Sequence, residues 1–206
     1  MIGENNQSLH LLGSSHQVAD LSAREQISLP PESIDDFYQG LGQITGLNEY
    51  LLLNTCNRTE IYGATEGSFS FDSLRQYLSN FRKIEPEFLN QHSYHRSNHE
   101  VVNHLFKVTS GIDSQMVGET EILGQVKKAY EDACNRNVAG KMLNRLFQKG
   151  FQAAKWARTN TGISRGQVNL GNVLCELARR IFGKVSSCRL LVVGAGEVAE
   201  STIEAF

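Results

Sequence analysis

EYLLLNTCNRTEIYGATEG, residues 49–67, holds two apolar runs, Tyr50–Leu53 and Ile61–Ala64, with a polar segment between them. Runs this short, bounded by Asn, Thr and Gly, read as strand, loop, strand. Cys56 then falls at the loop, among Thr55, Asn57, Arg58 and Thr59. A guanidinium two residues from a thiol favours the thiolate, the form that attacks acyl carbon. A lone cysteine at the end of an apolar strand also serves as packing, and the local sequence leaves both readings open.

Upstream, LHLLGSSH predicts a short strand from Leu9 to Leu12 that ends in a Gly-Ser turn. PPESIDDFYQGL predicts a helix: Pro30 and Pro31 stand at its start, Glu32, Asp35 and Asp36 complement the dipole, and Ile34, Phe37 and Leu41 share a face. Downstream, Ser97-Asn98-His99-Glu100 has the spacing of a capping box, in which Ser97 bonds the Glu100 amide and the Glu100 side chain returns to the cap. Val101, His104, Leu105 and Val108 then fall on one helix face, which aims His104 inward. Two more helical patterns follow, ILGQVKKAYEDAC and GKMLNRLFQKGFQAAKWART, the latter with a buried stripe of Leu143, Leu146, Phe147, Ala154 and Ala157.

Thr161-Gly162 breaks the pattern, and Val173, Leu174, Leu177, Ala178, Ile181 and Phe182 form another amphipathic helix that ends near Gly183. The apolar run Leu190–Val193 predicts a strand, and Gly194, Ala195, Gly196, Glu197, Val198 and Ala199 follow it as the strand-glycine-helix start of a dinucleotide-binding unit. A glycine-rich turn without a ligand fits the same letters. The acidic residue that reads the ribose belongs roughly 20 positions further on, so NAD and NADP are not separated here.

The totals fit one full core and part of a second: 206 residues, 40% hydrophobic and 20% charged. No stretch approaches the roughly 18 unbroken apolar residues of a membrane span. MIGENNQSLH lacks the basic leader and apolar core of a signal peptide, so a cytoplasmic protein is expected. Four cysteines, Cys56, Cys134, Cys175 and Cys188, show no CxxC spacing, which argues for reduced thiols rather than a disulfide framework or zinc site. His92, His95 and His99 fit no compact ligand set on one helix face. The net charge of -2 is uneven: residues 1–126 carry seven basic against sixteen acidic side chains, and residues 127–165 nine against two. Such a basic block meets a phosphate backbone or forms a solvated helix face.

TCNRTEIY, HLFKVTSGIDSQMVGETEILGQVKKAY and LLVVGAGE, in this order and at these intervals, resemble glutamyl-tRNA reductase over nearly the whole chain. In that family a cysteine attacks the ester joining glutamate to its tRNA, and NADPH reduces the resulting thioester to glutamate-1-semialdehyde, the first committed step of tetrapyrrole synthesis. The resemblance implies Cys56 as nucleophile, with Thr55, Asn57, Arg58, Ser114 and Gln125 lining the glutamate pocket. Arg58 would hold a carboxylate through its planar fork. Glu119, Thr120 and Glu121 occupy the place where the family reads GEPQ, and Thr120 and Glu121 depart from it. The family's opening GxNHxxAP becomes GSSHQVAD, which keeps Gly13, His16 and Ala19 but puts Ser15 and Asp20 where Asn and Pro are usual.

His104 matches the family histidine important for activity, as an acid or base toward the tRNA leaving group or as an orienter of the pocket. Glutamyl-tRNA(Glu) as substrate, NADPH at residues 194–199, a homodimer in the full-length family and a downstream aminomutase as partner are likewise implied, with no metal and no membrane. The expected fold is α+β: an antiparallel sheet with helices over residues 1–161, then a connector helix and the start of a Rossmann-like NADPH-binding domain over 162–206. Because the nucleotide crevice is expected to be incomplete, the chain alone is expected to lack reductase activity. A tRNA-binding or regulatory module without catalysis is the alternative, as is a slow glutamyl-tRNA deacylase, since an unreduced acyl-enzyme falls to water.

Overall fold

The computed structural model describes residues 7–163 and 170–206. The first six residues and Arg165 of the basic block lie outside the described residues, as does the start of the connector, 164–169.

Strand β1 spans Ser8–Ser15 and so runs through Gly13 and Ser14, where the sequence pattern places a turn. The reason is Tyr94. A Cβ at Gly13 would stand 2.6 Å from its ring, so this glycine admits a neighbouring aromatic side chain rather than a bend. Helix α1 (Leu21–Ile27) begins at Asp20, whose Oδ1 accepts the Ala23 N–H at 2.8 Å. A 3-10 turn at Pro31–Ser33 leads into α2 (Ile34–Leu41), which buries Phe37, Tyr38 and Leu41.

The 49–67 stretch forms β2 (Leu47–Asn54) and β3 (Arg58–Thr65), antiparallel, with Leu53 opposite Glu60 and Asn54 opposite Thr59. Next come α3 (Phe71–Arg82), α4 (Pro86–Gln91) and the short strand β4 (Tyr94–Ser97). Helix α5 (His99–Thr109) starts after Asn98, not Ser97. Only half of the expected capping box forms: the Ser97 N–H donates to Glu100 Oε2 at 3.4 Å. Ser97 is held in β4, while Asn98 pairs with Leu9 through both its backbone N–H and its Oδ1.

Helices α6 (Glu121–Asn135) and α7 (Lys141–Asn160) match the two remaining patterns. The α7 stripe holds Gly150 in place of Ala157, which is only half-buried. At Gly150 the helix approaches α5 closely enough for the Thr109 hydroxyl to donate to the Gly150 carbonyl at 3.2 Å.

The sheet is antiparallel with strand order β2-β3-β1-β4 and is covered on both faces. One face carries Leu9, Leu11, Leu51, Leu53, Tyr62 and Ala64 against α5, α6 and α7. The other carries Leu12, Tyr50, Leu52 and Ile61 against α1, α2, α3 and α4. Each fully buried aliphatic side chain contributes about 1.5–3 kcal/mol by leaving water. Because β3 is buried along its whole length, its polar residues, Arg58, Thr59 and Glu60, must find partners inside the protein.

Further on, α8 (Leu170–Phe182) packs against α9 (Glu197–Ala205), and Val173, Leu177, Ile181 and Phe182 stay exposed. The expected strand Leu190–Val193 does not form, and Leu191 and Val193 are 86% and 89% exposed. A parallel strand is stable only between neighbours that share its ladder, and no described strand lies beside this one.

Candidate active site

The turn between β2 and β3 is built by Thr55. Its N–H donates to the Arg58 carbonyl at 2.8 Å, and its Oγ1 accepts the N–H groups of Asn57 and Arg58 at 3.2 and 3.1 Å. A hydroxyl that satisfies two turn amides lets the chain reverse without glycine. Cys56 sits at the tip, exposed as a free thiol. Two outside elements brace it: the His16 N–H donates to the Asn57 carbonyl at 3.1 Å, and Arg24 Nε donates to the Cys56 carbonyl at 3.4 Å. Arg24 also holds the Ala19 carbonyl, at 2.8 Å, and its bond to the Cys56 carbonyl had no signal in the local sequence.

Behind the turn lies a buried charge network centred on Glu60, which the sequence reading did not single out. Its Oε1 accepts from Arg58 Nη1 at 2.8 Å, Tyr94 Oη at 2.6 Å and His104 Nε2 at 2.8 Å, and its Oε2 accepts from Tyr62 Oη at 2.6 Å. Burial by itself pushes the Glu60 carboxyl up. The charge and hydrogen bond of His104, with Arg58 and the Tyr62 hydroxyl, outweigh it and hold Glu60 well below the usual carboxylate range. Burial and the same carboxylate push the Tyr62 and Tyr94 phenols up, so both remain donors. A carboxylate two residues after an arginine on one strand face is the pattern that could have revealed Glu60.

Arg58 is not poised as an open fork. Its side chain is buried, with Nη1 also 3.1 Å from Asp113 Oδ2 and Nη2 2.6 Å from the Asp113 carbonyl. Only its Nε has no hydrogen-bond partner, and the same holds for the buried Ser114 Oγ and His16 Nδ1. These three belong to residues around the Arg58–Asp113 pair; Ser14 Oγ and the Nε atoms of Arg75, Arg96 and Arg158 are likewise buried without a partner. The Arg58 charge adds to burial in pushing the His16 imidazole down, so its ring is neutral at pH 7.

The remaining sequence candidates divide. Thr55 and Gln125 line a cavity of about 340 Å3 between α2, β2 and α6. Glu119 lends its carbonyl to Arg158 Nη2 at 3.1 Å and lies near enough to His16 to act on its charge. Thr120 is the cap residue of α6, and Glu121 is an acid in its first turn, where it complements the helix dipole. The departure at Glu121 thus has a local structural role, whereas the Thr120 side chain makes no capping hydrogen bond. Two other departures also have such a role: Asp20 caps α1, and the buried Ser15 hydroxyl is hydrogen-bonded to Tyr94. The basic block opens a second cavity, about 420 Å3, between α6 and α7, where Lys127, Lys155 and Arg158 line the walls with Gln148, Phe151 and Gln152.

Of the dinucleotide candidates, Gly194 adopts φ 128 and Gly196 caps α9, which covers Glu197, Val198 and Ala199. With Leu190–Val193 unpaired and no described strand beside it, residues 194–199 do not present a crevice that fits a dinucleotide. Among the described residues no group of three or more His, Cys, Asp or Glu side chains gathers for a metal ion, and no helix is long and apolar enough to cross a membrane.

Fold and site together define an α+β domain that presents a cysteine on a braced turn in front of a buried ionic network. Residues 12–161 match the family described as glutamyl-tRNAGlu reductase, N-terminal domain. The chain belongs to this family. It is similar to the glutamyl-tRNA reductase of Idiomarina loihiensis, 37% identical over 189 residues, 92% of this chain and 44% of that protein. It is 38% identical over 188 residues to that of Rubrobacter xylanophilus, 91% of this chain and 44% of that protein. The solved glutamyl-tRNA reductase from Methanopyrus kandleri superposes with a TM-score of 0.67 at 31% identity, over 98% of this chain and 47% of that one. The chain thus spans less than half the length of these relatives.

Proposed function

We propose that Cys56 accepts the glutamyl group of glutamyl-tRNA(Glu) as a thioester, the covalent half of a glutamyl-tRNA reductase reaction in tetrapyrrole biosynthesis. The observation that carries this reading is the exposed thiol at the tip of the Thr55-built turn, two residues along the chain from the buried Arg58 that pairs with Glu60 and Asp113. In the step itself the Cys56 thiolate attacks the ester carbonyl carbon, and a C–S bond forms. The C–O bond to the terminal ribose breaks, and the proton from the thiol ends on the ribose oxygen. The resemblance assigns Arg58 and Ser114 to the glutamate pocket, and His16, whose imidazole is pushed down by burial and then by Arg58, supplies a proton acceptor beside the turn.

His104 serves as a positioning residue in this reading. It is 5% exposed and its Nε2 is committed to Glu60, so it fixes the carboxylate that in turn fixes Arg58. NADPH is the hydride source that the family reading assigns, and the described residues do not build a site for it. Without hydride, a thioester on Cys56 leaves by hydrolysis, which makes slow deacylation of glutamyl-tRNA the activity expected of the chain alone.

Mass spectrometry of the chain after exposure to glutamyl-tRNA tests the proposal. A glutamyl adduct on the Cys56 peptide, lost in Cys56→Ser while tRNA binding persists, is expected. An adduct retained by Cys56→Ser, or tRNA binding with no adduct on the native chain, refutes the acyl-acceptor role and leaves a binding module.

A further inference from the structure

We propose that the cleft between α2, the outer edge of β2 and α6 seats the 3′-terminal adenosine of the aminoacyl-tRNA. The proposal rests on the reading of Cys56 as acyl acceptor. The ester oxygen belongs to the terminal ribose, so when Sγ reaches the carbonyl carbon the base can be no further from Cys56 than one sugar. The groups that the resemblance assigns to glutamate, Arg58 and Ser114, gather beside Asp113. Thr55, one residue from the thiol, opens instead onto this cleft.

The volume of about 340 Å3 lies at the small end of ligand sites, the scale of a nucleoside. Ile34, Tyr38 and Leu53 give it an apolar floor on which a purine can lie. Its back wall is the free edge of the sheet, because β2 is the outermost strand. On that edge the Tyr50 N–H donates to the Val138 carbonyl and the Leu52 N–H to Tyr38 Oη. Outward-facing groups alternate along an antiparallel strand. The Leu52 carbonyl and the Asn54 N–H therefore face the cleft as an acceptor and a donor two residues apart. Adenine offers the complement, an amino donor at N6 beside an acceptor at N1. Guanine offers the reverse, an acceptor at O6 beside an N1–H donor.

The polar rim distinguishes a terminal nucleoside from an internal nucleotide. Asp132 on the α6 wall disfavours a phosphate there and can accept from a ribose hydroxyl. Lys128, exposed on the same helix, is placed for the phosphate that leads to the preceding nucleotide. Gln125 lines the cleft from the same helix.

Three measurements on this chain test the site. Adenosine is expected to shift the backbone amide NMR signals of Leu52, Asn54 and Ala129, and guanosine to leave them in place. Ala129→Phe, which fills the cleft, is expected to remove those shifts. It should also slow acylation of Cys56 by 3′-O-glutamyl-adenosine about tenfold or more, the scale of 1.4 kcal/mol in binding, with acylation by glutamate ethyl ester unchanged. Lys128→Ala, a surface change, should slow acylation by glutamyl-tRNA and spare the ethyl ester, whatever Ala129→Phe does to folding. Absent adenosine shifts, equal shifts with guanosine, or equal slowing of the nucleoside and ethyl esters would overturn the site. If adenosine shifts those amides but no ester acylates Cys56, the acyl-acceptor reading falls and the nucleoside site stands.

Discussion

His104 Nε2 lies 2.8 Å from Glu60 Oε1, and the same oxygen accepts from Arg58 and Tyr94, so one fully buried carboxylate ties α5, β3 and β4 together behind the cysteine turn. Removing one member of such a cluster leaves the others charged and unsolvated. Glu60→Gln is therefore expected to destabilise the fold by about 3–5 kcal/mol, because it removes the buried charge shared by Arg58 and His104 and leaves Arg58 with Asp113 as its anionic partner. Urea unfolding checks it. The double variant Glu60→Gln with Arg58→Met should lose less than the sum of the two singles, because the two residues share one interaction.

A second consequence concerns pH. His10 Nδ1 and His95 Nε2 stand 3.2 Å apart, an arrangement that needs at least one neutral ring. Burial pushes His10 down and the charge of His95 adds to it; burial and Arg75 push His95 down, against an opposing Glu100. His16 is also lowered, by burial and then Arg58. For a base whose folded pKa is depressed, the unfolded chain binds more protons between the two values. The stabilisation from these rings is thus present above the unfolded value of 6.5 and lost as pH falls through the lower folded values. Glu60, with its depressed carboxyl, adds a further loss once pH falls below the ordinary carboxylate range. Urea midpoints should drop from about pH 7 to about pH 5, and His10→Gln with His95→Gln should flatten that slope.

How far the sequence already carried this site depends on which interactions are local. The Cys56 loop and the helix face that aims His104 inward can both be read within one or two turns of chain, whereas the cap at Asp20 and the first-turn place of Glu121 emerge from the helix starts in the structure. For Glu60 only the spacing to Arg58 and Tyr62 is local; its partners Tyr94 and His104 reach it from 34 and 44 residues away. The strand β4 escaped for a related reason. Its Tyr94–Ser97 residues are half-exposed and lack apolar alternation, so only pairing with β1 makes them a strand. Leu190–Val193 fails in the opposite sense, since an apolar run becomes a strand only where a neighbour supplies the ladder.

Asp20 stands where the family usually carries proline, and its side chain caps α1. Asp20→Ala should cost about 1 kcal/mol, the usual value for an N-cap. Because α1 carries Arg24 to the Cys56 carbonyl, the same change should loosen the cysteine turn. Faster reaction of Cys56 with a neutral alkylating reagent at fixed pH is the expected sign, and an unchanged rate would show that Arg24 does not depend on the cap.

The cavity between α6 and α7 presents Lys127, Lys155 and Arg158. If RNA phosphates meet this groove, each lysine removed should lower the slope of log binding constant against log salt by about one, and weaken binding to all tRNA sequences alike. Lys127→Ala and Lys155→Ala, titrated with tRNA at several salt concentrations, give the measurement. Binding that weakens with no change in slope would place the RNA backbone elsewhere.

Gly13 gives the last test, because its lack of a side chain is what seats Tyr94. An added Cβ would lie 2.6 Å from Tyr94 Cε2 and 2.9 Å from its hydroxyl oxygen. The ring must then move, and its hydroxyl leaves Glu60, to which it donates at 2.6 Å. Gly13→Ala should cost about 1–3 kcal/mol from overpacking, plus about 1–2 kcal/mol for the hydrogen bond to a charged acceptor. Tyr94→Leu in the same chain relieves the clash but not the lost bond. Gly13→Ala should therefore be nearly neutral when added to Tyr94→Leu, and strongly destabilising when added to the native chain. Thermal melts of the four proteins decide it: additive losses would mean that the space at Gly13 is not reserved for Tyr94.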